Sequence, residues 1–269
     1  MPTTIPTITS STRPGSPSAG DAYFETDTKN YIIYDGTDWR GYANDGVIFS
    51  SNSYSVDFDG NDDYIDISGA SGLLNSATAF SISAWYYMDA LNAPIVSGGS
   101  SNTNGVWIYN SGSSNNIVFA VRNGSSSTDI TTGVPSTGQW VHVAGTYSAG
   151  SGTLYVTPLG GSTTTVSSSA LPASLSSTAG NNLSIGRLPP GVATVHHEGK
   201  IDEVAIWNRE ITSTEVSNII SSKLYLNPSA MWRLENTADA TIGGSGYNGT
   251  MNNFASPKGF VSGVGNTPY

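Results

Sequence analysis

The stretch Phe80-Ser-Ile-Ser-Ala-Trp-Tyr-Tyr-Met88 decides the fold class. In an extended chain Phe80, Ile82, Ala84 and Tyr86 fall on one side and Ser81, Ser83, Trp85 and Tyr87 on the other, because strand side chains alternate with period two. One face is apolar and the other mixed, which predicts a strand packed on a core through one side only. Outward from it, short β-type runs are separated by clusters of Gly, Ser and Asn. Strands are predicted at 53–58, 64–67, 80–88, 93–97, 105–109, 116–122, 139–147, 152–158, 182–187 and 199–207. Such spacing predicts an all-β, two-sheet antiparallel sandwich. One short helix is expected after Trp207: Thr212-Ser-Thr-Glu215 forms a capping box, and Val216, Ile219, Ile220 and Leu224 recur at helical spacing, so one stripe should pack on the sandwich.

Composition agrees with a folded, loop-rich chain. Only 11% of the 269 residues are charged, yet six Trp, fourteen Tyr and seven Phe supply apolar area for a core. Ten Lys and Arg against twenty Asp and Glu give a net charge of −10, which opposes nucleic acid and anionic lipid as partners. Without cysteine there are no disulfides or thiolate sites. No cationic patch leads into an apolar run near Met1, and no stretch approaches eighteen apolar residues, so neither a secretory signal nor a membrane span is expected.

Residues 1–20 mix Pro, Ser, Thr and Gly and read as an extended arm. The aromatic and β-branched runs within Asp21–Trp39 flank a polar stretch at Lys29-Asn30 and predict a β-hairpin. Arm and hairpin make an attachment segment, 1–45, ahead of a sandwich at 46–227. The remainder, 228–269, includes the strand-like Ala230-Met-Trp-Arg-Leu-Glu235. It is too short for a second core and is expected to close the same sandwich rather than begin a truncated repeat.

Four segments now bear a resemblance: Tyr54–Ile67, with Asp57-Phe-Asp-Gly60 and Asp63-Tyr-Ile-Asp66; Phe80–Trp85; Gln139-Trp-Val-His-Val-Ala-Gly-Thr-Tyr147; and Gly199-Lys-Ile-Asp-Glu-Val-Ala-Ile-Trp207 with its continuation to Val216. In this order they resemble the sequence blocks of laminin-G-like, concanavalin A-like domains. The resemblance implies a jelly roll with one concave sheet, in a superfamily of lectins, glycan-binding modules and glucanases. Gly20–Trp39 is similar to segments of tailed-bacteriophage fibre and virion proteins. Together the two imply a protein on the virion surface, made in host cytoplasm, docked on other virion proteins through 1–45 and displaying a lectin-like domain toward host-surface carbohydrate. Capsid decoration or a short fibre suits a chain without shaft repeats. A tail-fibre receptor-binding protein and a free bacterial lectin are the alternatives, and a homotrimer is the oligomer the phage resemblance suggests.

Candidate sites follow. Asp57, Asp59, Asp62, Asp63 and Asp66 surround Gly60, and hard oxygen ligands on a glycine-containing turn suit Ca²⁺; the same residues could equally end strands in Asx turns. The family resemblance adds Asp202 as a calcium ligand, so structural calcium is expected at Asp59 or Asp202. Catalysis is not expected: retaining glycosidases need two carboxylates about 5 to 5.5 Å apart, and the adjacent Asp202 and Glu203 should point to opposite faces of a strand. His142 reads as a satisfied structural histidine, and His196-His197 as part of a polar loop. For glycan stacking the candidates are Trp107 and Tyr109, which alternate on one strand, with Asn104 beside them.

Overall fold

The computed structural model describes residues 6–262 apart from 27–29, 35, 37–38, 44–46, 50–53, 68, 113–115, 125, 134–136, 190, 223, 235–237, 239–244 and 255–258. The chain forms two compact units, one from 1–51 with 212–228 and the other from 52–211 with 229–269.

In the first unit β2 (Ala22–Glu25), β3 (Asn30–Tyr34) and β4 (Trp39–Ala43) make an antiparallel meander, with β1 (Thr7–Ile8) added parallel to β2. The expected hairpin is thus the centre of a four-stranded sheet. Arg13 grips the buried Glu25 with two bonds, Nε to Oε1 at 2.5 Å and Nη2 to Oε2 at 3.1 Å. Helix α2 (Ser213–Ser222) starts on the predicted capping box: Thr212 N–H donates to Glu215 Oε2 at 2.8 Å, and Glu215 N–H to Thr212 Oγ1 at 3.2 Å. The helix and the strand after it, β18 (Leu224–Leu226, paired with β5, Val47–Phe49), cluster with the N-terminal strands, where Leu224 and Leu226 pack on Ile33. Residues 212–228, expected to belong to the sandwich, are therefore part of the N-terminal unit. Leu224 lies in a strand, not on the helical stripe.

The second unit is a sandwich of two antiparallel sheets. The eight-stranded sheet runs β15 (Thr164–Ser168), β14 (Ser151–Pro158), β13 (Trp140–Ser148), β8 (Ala79–Met88), β17 (Glu198–Trp207), β6 (Tyr54–Asp59) and β21 (Phe260–Ser262), with β19 (Ala230–Trp232) paired to β17. The seven-stranded sheet runs β12 (Ser126–Gly133), β11 (Asn116–Asn123), β10 (Asn104–Ser111), β9 (Pro94–Ser101), β16 (Ser184–Ile185), β7 (Tyr64–Ile67) and β20 (Gly249–Asn252). The C-terminal segment supplies strands to both sheets. A one-turn helix, α1 (Ser71–Leu74), follows β7 and buries Leu73 and Leu74.

The alternation of β8 works as its sequence dictates. Phe80, Ile82, Ala84 and Tyr86 enter the core with Val56, Phe58, Ile201, Val204 and Ile206 of the same sheet, meeting Ile65, Val96, Val106, Ile108 and Phe119 of the other. Among the described residues no helix is long and apolar enough to cross a membrane.

Gly199 is where β17 meets both neighbours, opposite Phe58 and Met88. Its φ is +125°, and a Cβ there would press on Tyr87 O. Gly199→Ala therefore suffers backbone strain and a collision with backbone that cannot rotate away, and the expected loss is about 3 kcal/mol or more. Urea denaturation of the variant measures it; an unchanged midpoint would refute the packing described.

Candidate functional site

One row of residues crosses the whole seven-stranded sheet on the side turned away from the core: Asp129, Ala120, Trp107, Ser97, Ser184, Asp66 and Thr250, each opposite the next. At one end lies the expected stacking residue. Trp107 is only 2% exposed, packed with Val118 and Ala120 and covered by Leu188 and Val192 of the loop between β16 and β17. The Arg122 guanidinium sits 4.7 Å from its ring centroid and is itself paired to Asp129 at 2.9 Å. Trp107 is thus a small satellite core, and the expectation of an open stacking face is corrected. Tyr109 is half-buried, and burial, reinforced by Asp129, raises its phenol pKa. Asn104 serves the turns: its Nδ2 donates to Ser101 Oγ and Thr103 Oγ1, and its Oδ1 accepts from Gly124 N–H. The three do not converge on one ligand.

At the other end of the row is a cleft. Asp66 Oδ1 accepts from Arg187 Nη2 at 2.6 Å and from Ser184 Oγ at 3.0 Å, and the Arg187 guanidinium lies 3.8 Å from the Tyr64 ring centroid. Beside this carboxylate opens a space of about 510 Å³ lined by Gly69, Ser71, Asn181, Asn182 and Thr250 among others. No local motif announces it, because its residues come from three distant segments.

The acidic stretch divides between tasks. Asp59 Oδ1 accepts from Asn61 N–H at 2.8 Å, and Asn61 Nδ2 bonds Oδ2 at 3.1 Å, an Asx turn around Gly60. These bonds, the side-chain one first, hold the Asp59 carboxyl below its ordinary pKa. Asp63 is buried, which raises its pKa; Oδ2 accepts from Asp59 N–H at 3.1 Å while Oδ1 has no partner among the described residues. Oxygens of Asp59, Asp62 and Asp63 approach within 4.8 Å of one another. Three hard oxygens with one buried and unsatisfied fit a cation such as Ca²⁺. Asp202 does not join them: Asp59 pairs with Glu198, and four further residues along β17 are about 13 Å.

Asp202 and Glu203 are both fully buried. The ladder slips between Asp202 and Ala205, Glu203 has φ +47°, and Glu203 N–H donates to Asp202 Oδ1 at 2.8 Å. A bulge suspends strict alternation, so burial and not opposed facing is what removes this carboxylate pair from solvent.

A two-sheet antiparallel jelly roll with polar rims defines a lectin-like domain. Residues 59–217 match the family described as the concanavalin A-like lectin/glucanases superfamily (Laminin_G_3), and the chain belongs to it. No curated protein sequence matches. Among solved structures, a candidate carbohydrate-binding protein from Bacteroides ovatus is 16% identical, with 91% of this chain and 70% of that one covered and a TM-score of 0.54. A heptameric pentraxin from Limulus polyphemus is 18% identical over 65% of this chain and 84% of its own, with a TM-score of 0.47. Tailspike protein 2 of an Escherichia coli bacteriophage is 12% identical over 71% of this chain and 31% of its own, with a TM-score of 0.43.

The histidines belong to the architecture. His142 lies fully buried on the non-core face of the eight-stranded sheet, in the row Thr157, His142, Trp85, Asp202. Trp85 meets it edge-on at 5.2 Å, and among the described residues neither ring nitrogen finds a hydrogen-bond partner, so the expectation of a satisfied histidine is corrected. His197 stands at the end of the loop before β17, as expected, but that position is not a polar surface. It is buried between the sheets, Nδ1 3.1 Å from Pro94 O and Nε2 3.2 Å from Tyr87 O. Burial lowers the pKa of His142 to about 3 and that of His197 to about 4, the latter against the pull of the carbonyls. Unfolded, both protonate near 6.5. The unfolded chain thus binds more protons below that pH: stability is complete above about pH 6.5 and declines toward pH 4 by up to ~1.4 kcal/mol per pH unit for each ring. His142→Leu should remove one ring's share of this slope and, by deleting an unsatisfied buried group, gain about 1 to 3 kcal/mol at pH 5. Urea midpoints of both proteins from pH 7.5 to 4.5 check this; parallel pH profiles would refute it.

Proposed function

We propose that this is a non-enzymatic virion surface protein, a capsid decoration or short fibre, whose jelly roll binds host-surface carbohydrate. The single observation that carries the binding reading is a lectin-family sandwich with a polar cleft on its outer sheet, while its adjacent carboxylates Asp202 and Glu203 are shut away from solvent. A glycosidase needs such groups in contact with substrate. The virion location is supported by the resemblance of Gly20–Trp39 to phage fibre segments; that stretch forms the middle of the N-terminal sheet, which suits docking on other virion proteins. A homotrimer is part of this reading. Immunolabelled negative-stain images of the phage particle are expected to place the chain on capsid or tail. Label confined to non-particle material would overturn the location, and release of reducing sugar from host envelopes would overturn the non-enzymatic reading.

Calcium at the Asp59–Asp63 turn completes the proposal as a structural ion. Its binding would satisfy Asp63 Oδ1 and stabilise the folded state by mass action, about 2.7 kcal/mol when free ion is one hundred times its dissociation constant. Calorimetry should show heat and a higher melting temperature with CaCl2, both lost in Asp63→Asn. Identical melting with CaCl2 and with chelator would dismiss the ion.

A further inference from the structure

We propose that the cleft beside Asp66 is the carbohydrate subsite and that it selects an uncharged sugar; the inference rests on the carbohydrate-binding reading above. Its polar groups each give one half to the fold and keep the other. Asn181 Oδ1 accepts from Asn75 Nδ2 at 3.3 Å, which leaves the Asn181 Nδ2 donor. Asn182 Nδ2 donates to Gly99 O at 3.1 Å, which leaves the Asn182 Oδ1 acceptor. Asp66 spends Oδ1 on Arg187 and Ser184 and keeps Oδ2. Ser71 and Thr250 add exposed hydroxyls. Donors and acceptors are therefore interleaved, and a sugar hydroxyl, which both donates and accepts, answers such a surface. A cation would meet the Asn181 N–H groups.

The walls are fixed before any ligand arrives. Gly180 N–H donates to Asn75 Oδ1 at 2.7 Å, Gly99 N–H to Asn181 O at 2.7 Å, and Asn182 holds φ +52°. A Cβ on Gly180 would strike Ala70 O, so the 180–182 segment lies directly on the backbone entering α1. Prepaid ordering of this kind favours binding by a small ligand. The volume, about 510 Å³, lies within the range of small-molecule sites. Selection follows from charge. Among the described residues Asp66 is the one ionisable side chain lining the cleft; Arg187, bonded to its Oδ1, does not line the space and is turned onto Tyr64, so a sugar carboxylate would meet Asp66 Oδ2 with no cationic group offered to it.

The full chain, labelled with ¹⁵N, is titrated with glucose, galactose, mannose and N-acetylglucosamine, and separately with N-acetylneuraminic acid, each to ~50 mM so that millimolar affinity is visible. At least one neutral sugar should shift the Asn181 side-chain amide and the Gly69 and Gly180 backbone signals, and the acidic sugar should not. Thr250→Trp, at an exposed rim position, should abolish the shifts with melting temperature retained, and Asn181→Ala should weaken binding about tenfold. Sugar shifts that map elsewhere and survive Thr250→Trp would overturn the cleft while leaving carbohydrate binding intact. Equal response to N-acetylneuraminic acid would overturn the selectivity. No response to any sugar, with no binding to host cells, would overturn both.

Discussion

The approach of Phe119 to Gly145 sets the spacing of the two sheets. Phe119 projects from β11 onto the backbone of β13, where a Cβ on Gly145 would collide with the ring; Phe80 meets it at a centroid distance of 6.0 Å and in turn meets Tyr147 at 5.1 Å. Aromatic rings meeting a glycine let interiors reach close packing without voids. Tyr147 then donates its hydroxyl to Pro172 O at 2.5 Å, tying down the long connection after β15. Leu171, Leu175, Ala179 and Leu183 of that connection enter the same core. Because those four are anchored, Asn181 and Asn182 between them are held at the rim with fixed orientation, so the position of the cleft is a consequence of core packing.

The interior strands were legible because each buries at least one face, and burial writes period two into the sequence. Residues 64–67 are a strand in both readings, and 80–88 extends by a single residue, to Ala79. Within the sandwich the strands that carried no signal are β12, β15, β20 and β21, which are the four outer edges of the two sheets. An edge strand needs fewer apolar contacts and is safer when polar, so Thr164-Thr-Val-Ser-Ser168 reads like a linker while pairing over its whole length with β14. Helix α2 shows a different limit. Its cap was readable from four residues, but which unit its apolar stripe would join depended on partners far away in sequence.

Site residues were less legible, for a physical reason. An aromatic alternating on a strand is equally suited to an open platform and to a small core, and the choice for Trp107 is made by Leu188 and Val192, some eighty positions on, which local pattern cannot place. The cleft inverts the problem. Its groups are short polar side chains of the kind that fill ordinary loops, and only the register that sets Ser184 opposite Asp66, and Asp66 opposite Thr250, brings them together. A one-residue slip of β7 would send Asp66 to the core face and bring Ile65 or Ile67 to the rim. Specificity in such a sheet is therefore a property of register before it is one of composition.

The acidic run 57–66 carries this further. Alternation places Asp57 beside Lys200 on the outer face of the eight-stranded sheet, where burial raises its pKa against the pull of that lysine. The turn consumes Asp59, Asp62 and Asp63, and the other sheet receives Asp66 with Arg187. The short connection between β6 and β7, which lie in different sheets, thereby distributes five of the chain's twenty acids over three environments. Repulsion among like charges falls with their separation and is offset where a local donor or cation meets each carboxylate. The net charge of −10 accordingly describes no uniform acidic surface. It conceals Asp66 paired with Arg187, Asp57 lying opposite Lys200, and a turn that gathers the other three, the buried Asp63 among them.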